Sequence, residues 1–145
     1  LSLRRQRQMC IRDSSRWPPL LLRKKGLLDA YCSAKVLSQL TDGNLALFFD
    51  GLRSGNAALQ TAWNEYLSYL AVAVNNLRMT FDCDVIVGGY VGGFLAEFGE
   101  PLREMLVERN TFEPDSSYLK FSRYRLEASA LGAALLHIEA FIQNL

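Results

Sequence analysis

Apolar positions along the chain fall into blocks of two different periods. Leu27, Tyr31, Ala34 and Leu37 are spaced for one face of a helix, predicted from about residue 27 to 39. Thr41-Asp42-Gly43-Asn44 reads as a turn, and Leu45 to Leu52 as a short amphipathic helix ended near Gly51 and Gly55. Asn56 then offers a side-chain acceptor to the free amides of a first helical turn. The helix it starts runs to about Met79, with Leu59, Trp63, Tyr66, Leu70, Val74 and Leu77 in one stripe. Ala62, Ala71 and Ala73 allow close packing on a second side, which predicts a central helix.

The period then changes. Val85-Ile86-Val87, bounded by Asp84 and Gly88-Gly89, reads as a short buried strand. Gly92-Gly93 follows, then a helical region to Arg109 with a break near Gly99-Glu100-Pro101, where proline suits a first turn. Thr111 to Ser117 reads as a loop and Tyr118 to Phe121 as a second strand. Glu127 to Ile142 is the closing helix, with Leu131, Leu135, Ile138 and Ile142 on its expected core face. The order predicts an α/β arrangement, helix-rich with a small sheet.

Composition adds one asymmetry. The chain has 145 residues, 50% hydrophobic and 21% charged, which fits one folded domain. Residues 1–25 hold eight Arg or Lys against Asp13, a balance of +7, whereas residues 26–145 hold eight basic and fourteen acidic residues, a balance of −6. The string SLRRQRQMCIRDS has no clean period and resembles translated sequencing-adapter read-through; a disordered basic tail or a nucleic-acid arm are the alternatives. Residues 1–17 are therefore set apart from a lobe spanning 18–145. Cys10, Cys32 and Cys83 are odd in number and widely spaced, so a reducing, cytoplasmic setting is the expectation. No apolar run reaches membrane-spanning length.

Three segments in order carry a resemblance. GLLDAYCSA at residues 26–34, FDCDVIVGGYVGG at 81–93 and EASALGAAL at 127–135 together resemble the ROK family of repressors and sugar kinases, with the long helix between the first two. The resemblance implies a partial actin-like, ribonuclease-H-type lobe, the carboxy-terminal half of a two-lobed fold that holds ATP and sugar between its halves. It implies that Gly88 and Gly89 approach a nucleotide and that Asp29 hydrogen-bonds sugar hydroxyls, one methylene shorter than the family's glutamate. It also places the family's three zinc-binding cysteines at Leu20, Leu22 and Leu27, side chains without a donor atom, so the zinc site is expected to be lost. No catalytic residue and no metal ligand is expected in this chain.

The functional expectation is a fragment of a ROK-type sugar-responsive transcriptional repressor, inactive alone. Tyr90, where the kinases resembled carry small residues, gives that leaning. The alternatives are a fragment of an ATP-dependent, glucokinase-like sugar kinase, whose intact parent would use ATP and Mg²⁺, and an unrelated helix-rich interaction domain. Expected partners are the missing amino-terminal lobe, a sugar in the intact parent and a second copy; DNA would be met only through a helix-turn-helix the chain lacks. The single histidine, His137, is expected at the surface, and Arg123 and Arg125, alternating after the second strand, either meet phosphate or acid groups or lie in solvent.

Overall fold

A computed structural model describes residues 28–110, 112–124 and 127–143. The segment 1–17, the positions Leu20, Leu22 and Leu27, and Arg125 lie outside the described residues. The helices are α1 (Ala34–Ser38), α2 (Leu45–Arg53), α3 (Ala57–Phe81), α4 (Gly89–Gly92), α5 (Leu95–Phe98), α6 (Glu100–Arg109) and α7 (Ala128–Gln143). The strands are β1 (Val85–Val87) and β2 (Leu119–Phe121), with single 3-10 turns at Leu28–Ala30 and Gln39–Thr41. The helix-rich α/β character is as the periodicity predicts.

The first predicted helix is not continuous. Its chain is a 3-10 turn, an extended Ser33 with φ −101° and ψ 152°, and then α1. The physical reason lies 34 residues away. The Tyr66 hydroxyl donates to the Cys32 carbonyl at 3.2 Å, and the Cys32 thiol donates back to the Tyr66 carbonyl at 3.8 Å. A carbonyl captured from α3 is withdrawn from helical bonding, and Val36 N–H turns to Ser33 O instead, at 3.1 Å. The break also lets Tyr31 and Leu37 both reach the core.

Capping sets the next two starts. Asn44 Oδ1 accepts from the Ala46 and Leu47 amides at 3.0 and 3.3 Å, and Asn56 Oδ1 from those of Ala58 and Leu59 at 3.0 and 3.2 Å. Each side chain satisfies two amides that no helical carbonyl reaches. α3 stops at Asp82, which takes the left-handed conformation with φ 47° and donates to Arg78 O at 2.8 Å. Asp is among the few non-glycine residues that accept this φ.

α3 is the central element. It buries Trp63, Tyr66, Leu67, Leu70, Ala71, Ala73 and Val74, so both predicted apolar sides are used. It packs along α6 and against α2 and β1. At its first half an aromatic cluster forms: Phe49 stacks on Phe94 at 3.9 Å and meets Trp63 edge-on at 5.3 Å. The Trp63 indole N–H donates to Phe98 O at 3.1 Å, which ties α3 to the end of α5.

The strands pair in parallel, Val85 with Leu119, Ile86 with Lys120 and Val87 with Phe121. α4, α5 and α6 make the crossover between them. One face of this sheet packs on the helices, with Leu119 fully buried and Val85 and Val87 half-buried. The other face is open, and Ile86 is 71% exposed. The strand is therefore where it is predicted but is not buried on both sides. Parallel sheets ordinarily have both faces covered.

Below the sheet, Arg78 fixes the loop between α6 and β2. Its guanidinium grips the Glu113 carboxylate, with Nε 3.1 Å from both oxygens and a second, shorter bond from Nη2 to Oε1. The buried Asn110 donates to the same carboxylate at 2.9 Å, and the guanidinium lies 5.1 Å from the centre of the Tyr118 ring. The Arg78 hydrogen bond holds the Glu113 carboxyl below its usual range, against the opposing effect of burial. A depressed folded-state pKa contributes stability at pH above the unfolded value, and that stability is lost as pH falls through the folded one. Urea midpoints measured from neutral pH down to the acid range should thus fall less steeply for Glu113→Gln than for the parent. Parallel acid limbs for the two proteins would show that Glu113 carries none of this dependence.

Candidate functional site

Two parallel strands present their carboxyl ends on the same side, and in open α/β sheets that is the side on which ligands are met. Here the end is built from Gly88, Gly89 and Tyr90 after β1 and from Ser122, Arg123 and Tyr124 after β2. Ser122 N–H donates to Val87 O at 2.9 Å, which extends the ladder one residue beyond β2 and brings the two turns side by side. The Ser122 hydroxyl donates to Tyr124 O at 2.9 Å and accepts from the Tyr124 amide at 3.2 Å, so the second turn closes on itself.

The glycines have separate reasons. Gly89 has φ 77°, a conformation in which a side chain is strained, and open space surrounds the position of its absent Cβ. Gly88 has an extended backbone, and a Cβ there would stand 3.2 Å from Ser122 Cβ. Gly88 thus fits closely against the neighbouring turn, whereas Gly89 is favoured by the sharp exit from the strand and leaves a free approach to the backbone. Tyr90 is 63% and Tyr124 49% exposed, and Arg123 is exposed at the same end. Together these supply a bare stretch of backbone, two aromatic rings and one cation.

Asp29 belongs elsewhere. It is exposed in the 3-10 turn before α1, next to Ala30 and Tyr31, which line a groove of about 240 Å³ against α3. Tyr66, Tyr69 and Glu65 form the α3 wall of that groove, with the Tyr69 hydroxyl donating to Glu65 at 3.0 Å. None of its lining residues comes from the glycine turn. Burial, helped by the Asp29 charge, pushes the Cys32 thiol up to about 12, so Cys32 behaves as a small apolar group and not as a thiolate.

The remaining candidates are placed simply. Asp82 and Asp84 are exposed at the amino end of β1, the end away from Gly88 and Gly89. His137 is exposed on α7. Among the described residues no group of three or more His, Cys, Asp or Glu side chains is placed to hold a metal ion. No helix among them is long and apolar enough to cross a membrane. Sequence reasoning missed Ser122 and Tyr124, whose only signal is that they follow a strand that pairs with β1. It missed the Arg78, Asn110 and Glu113 network altogether, because a pair 35 residues apart leaves no local pattern.

Comparisons with protein-family models, with curated proteins and with solved structures each gave no match to this chain.

Proposed function

We propose that this chain is a ligand-sensing lobe of a ROK-type, sugar-responsive transcriptional repressor, a fragment without catalytic activity of its own. The observation that carries the reading is the open glycine turn at the carboxyl end of β1, inside a unit of two parallel strands with a helical crossover. It is the local geometry that the resemblance of residues 81–93 leads one to expect. The uncovered sheet face bearing Ile86 supports it, since a second lobe would supply the layer that parallel strands ordinarily require.

Under this reading the chain transfers no phosphoryl group, and the positions of the described acids are in keeping with that. Phosphoryl transfer needs a carboxylate at the attacking hydroxyl and a cradle for the terminal phosphates, both positioned together. Asp82 and Asp84 are at the wrong end of β1, and Asp29 is on a different segment beside a different groove. Under this reading Gly88 and Gly89 seat one side of a nucleotide or effector, Asp29 contributes to sugar recognition in the intact parent, and ligand binding changes the set of one lobe against the other.

Two measurements test it. Purified chain should form no sugar-dependent ADP from ATP across a panel of hexoses and N-acetylhexosamines. Turnover that follows the chain through purification and disappears in Gly88→Val and Gly89→Val would overturn the reading. Genomic sequence upstream of the Leu28 codon should encode a helix-turn-helix followed by a lobe without a catalytic aspartate. An upstream phosphate-binding loop together with that aspartate would make the parent a sugar kinase instead.

A further inference from the structure

A groove of about 450 Å³ lies between α6 and the loop that leads into β2, apart from the glycine turn. Glu100, Glu104 and Glu108 form its α6 side, and Pro114, Asp115 and Ser116 its loop side. The three glutamates recur at four-residue intervals, so they stand in one row along the helix. All three are exposed, and none has an ion pair among the described residues. Like charges at this spacing repel. Glu108 also lies in the last turn of α6, where the helix dipole disfavours an anion.

Arg103 is the one cation in the described lining, and it is engaged elsewhere. Its Nη1 donates to Ser116 O at 3.2 Å, and its guanidinium lies 4.8 Å from the centre of the Phe121 ring. With Asp115 added, four carboxylates share the groove with one guanidinium, a balance of −3. A second observation points into the same space. Ser116 is only 7% exposed, yet among the described residues its hydroxyl has no hydrogen-bond partner; its carbonyl alone is used, by Arg103 and by the Leu119 amide at 3.0 Å. The unpartnered side-chain atoms sealed in the interior are Asn75 Oδ1 and Tyr118 Oη, so the Ser116 hydroxyl opens into the groove it lines. A buried hydroxyl without a partner is a place where a ligand group is missing.

The spacing of the charges selects the ligand. A rise of about 1.5 Å per residue sets consecutive glutamates about 6 Å apart along the axis and the whole row at about 12 Å. Carboxylates strung out in this way do not converge on one ion, and among the described residues no group of three or more His, Cys, Asp or Glu is placed to hold a metal. An elongated cation meets them one at a time. In a linear aliphatic polyamine, nitrogens separated by four carbons are five bonds of about 1.5 Å apart, which in zig-zag reach about 6 Å. Its N–H groups donate to carboxylates and to the lone pairs of a hydroxyl. Its methylenes find apolar surface on Val107, which is 41% exposed, and on Pro114.

We propose that this groove binds a linear aliphatic polyamine, its ammonium groups ranged along Glu100, Glu104 and Glu108 and against the Ser116 hydroxyl. The inference does not rest on the lobe reading and goes beyond it. Spermidine titrated into the full chain by isothermal calorimetry should occupy one site per chain, with a Kd of about 10–100 μM at low ionic strength that weakens as salt is added. Glu104→Gln, in the middle of the row, should weaken binding by about tenfold, and Ser116→Ala by about threefold. Glu139→Gln, an exposed acid on α7 outside the groove, should leave it unchanged. Titrations without saturation would overturn the proposal. Equal losses in Glu104→Gln and Glu139→Gln would also overturn it, since that is the behaviour of diffuse attraction between charges. Undiminished affinity in Ser116→Ala would reduce the groove to an acidic ridge and count against it in the same way. Mg²⁺ bound as tightly as spermidine, with the same loss in Glu104→Gln, would show that the spacing is not read. Unchanged far-ultraviolet circular dichroism in each variant separates lost binding from lost folding.

Discussion

Trp63→Ala is expected to reduce the free energy of unfolding by about 3–5 kcal/mol, a large share of the 5–15 kcal/mol typical of a domain. Trp63 is 3% exposed and is the point at which three segments meet. Its ring meets Phe49 edge-on at 5.3 Å, tilts against Phe48 at 6.3 Å and stacks on Tyr66 at 5.3 Å. Removing the indole leaves a cavity that these rings, fixed on α2 and α3, fill only in part. It also removes the donor to Phe98 O, so the junction of α5 and α6 loses its tie to α3. Trp63→Phe separates the two effects. It keeps most of the volume and loses the N–H, and its expected cost is about 1–2 kcal/mol. Urea unfolding followed by far-ultraviolet circular dichroism measures both. A loss below about 1 kcal/mol for Trp63→Ala would mean that the aromatic cluster is not what joins α2, α3 and α5.

The same helix shows how far sequence alone carries the fold. The spacing of Trp63, Tyr66, Leu70 and Val74 and the placing of Ala71 and Ala73 predict a helix buried on two sides, and all six are buried. Asn56 predicts its start because capping is a property of neighbouring residues. The interruption at Ser33 has no such local origin. Residues 27–39 carry a helical period, and the break depends on the Tyr66 hydroxyl reaching Cys32 O from another element. Burial of β1 was illegible for a similar reason. A β-branched run bounded by glycines predicts a strand, but whether Ile86 is covered depends on a layer that the described residues do not supply. On α7 the period predicts a buried face, but Leu135, Ile138 and Ile142 are all exposed, because burial depends on what packs there and not on spacing.

The candidate site divides along the same line. Gly89 has a local reason, a left-handed exit from the strand with φ 77°. Gly88 has a non-local reason, the Ser122 side chain of the adjoining turn. Asp29, linked to the glycines only through the family resemblance, lies beside a groove that neither glycine lines.

Gly99→Ala is expected to destabilise the chain by about 1–3 kcal/mol or more, although alanine ordinarily improves a position beside a helix. Gly99 ends α5 and begins α6 with an ordinary φ of −93°, so conformational freedom is not its reason. Space is. A methyl group there would fall within contact distance of the Leu95 carbonyl oxygen and stand 2.7 Å from Phe121 Cζ. The carbonyl belongs to α5 and yields only if that turn is displaced. Phe121 ends β2, and its ring lies against the Arg103 guanidinium at 4.8 Å, so moving it disturbs the sheet and α6 together. The entropy gained by replacing glycine is at most about 1 kcal/mol. Two simultaneous clashes, one with backbone, outweigh it. Phe121→Leu added to Gly99→Ala should recover part of the loss, because a shorter side chain opens one of the two contacts, and the pair should therefore be non-additive. Urea midpoints for the parent, the two single variants and the double variant form the complete cycle. A Gly99→Ala midpoint at or above the parent's would mean that α5 and β2 do not approach Gly99 as closely as this packing requires.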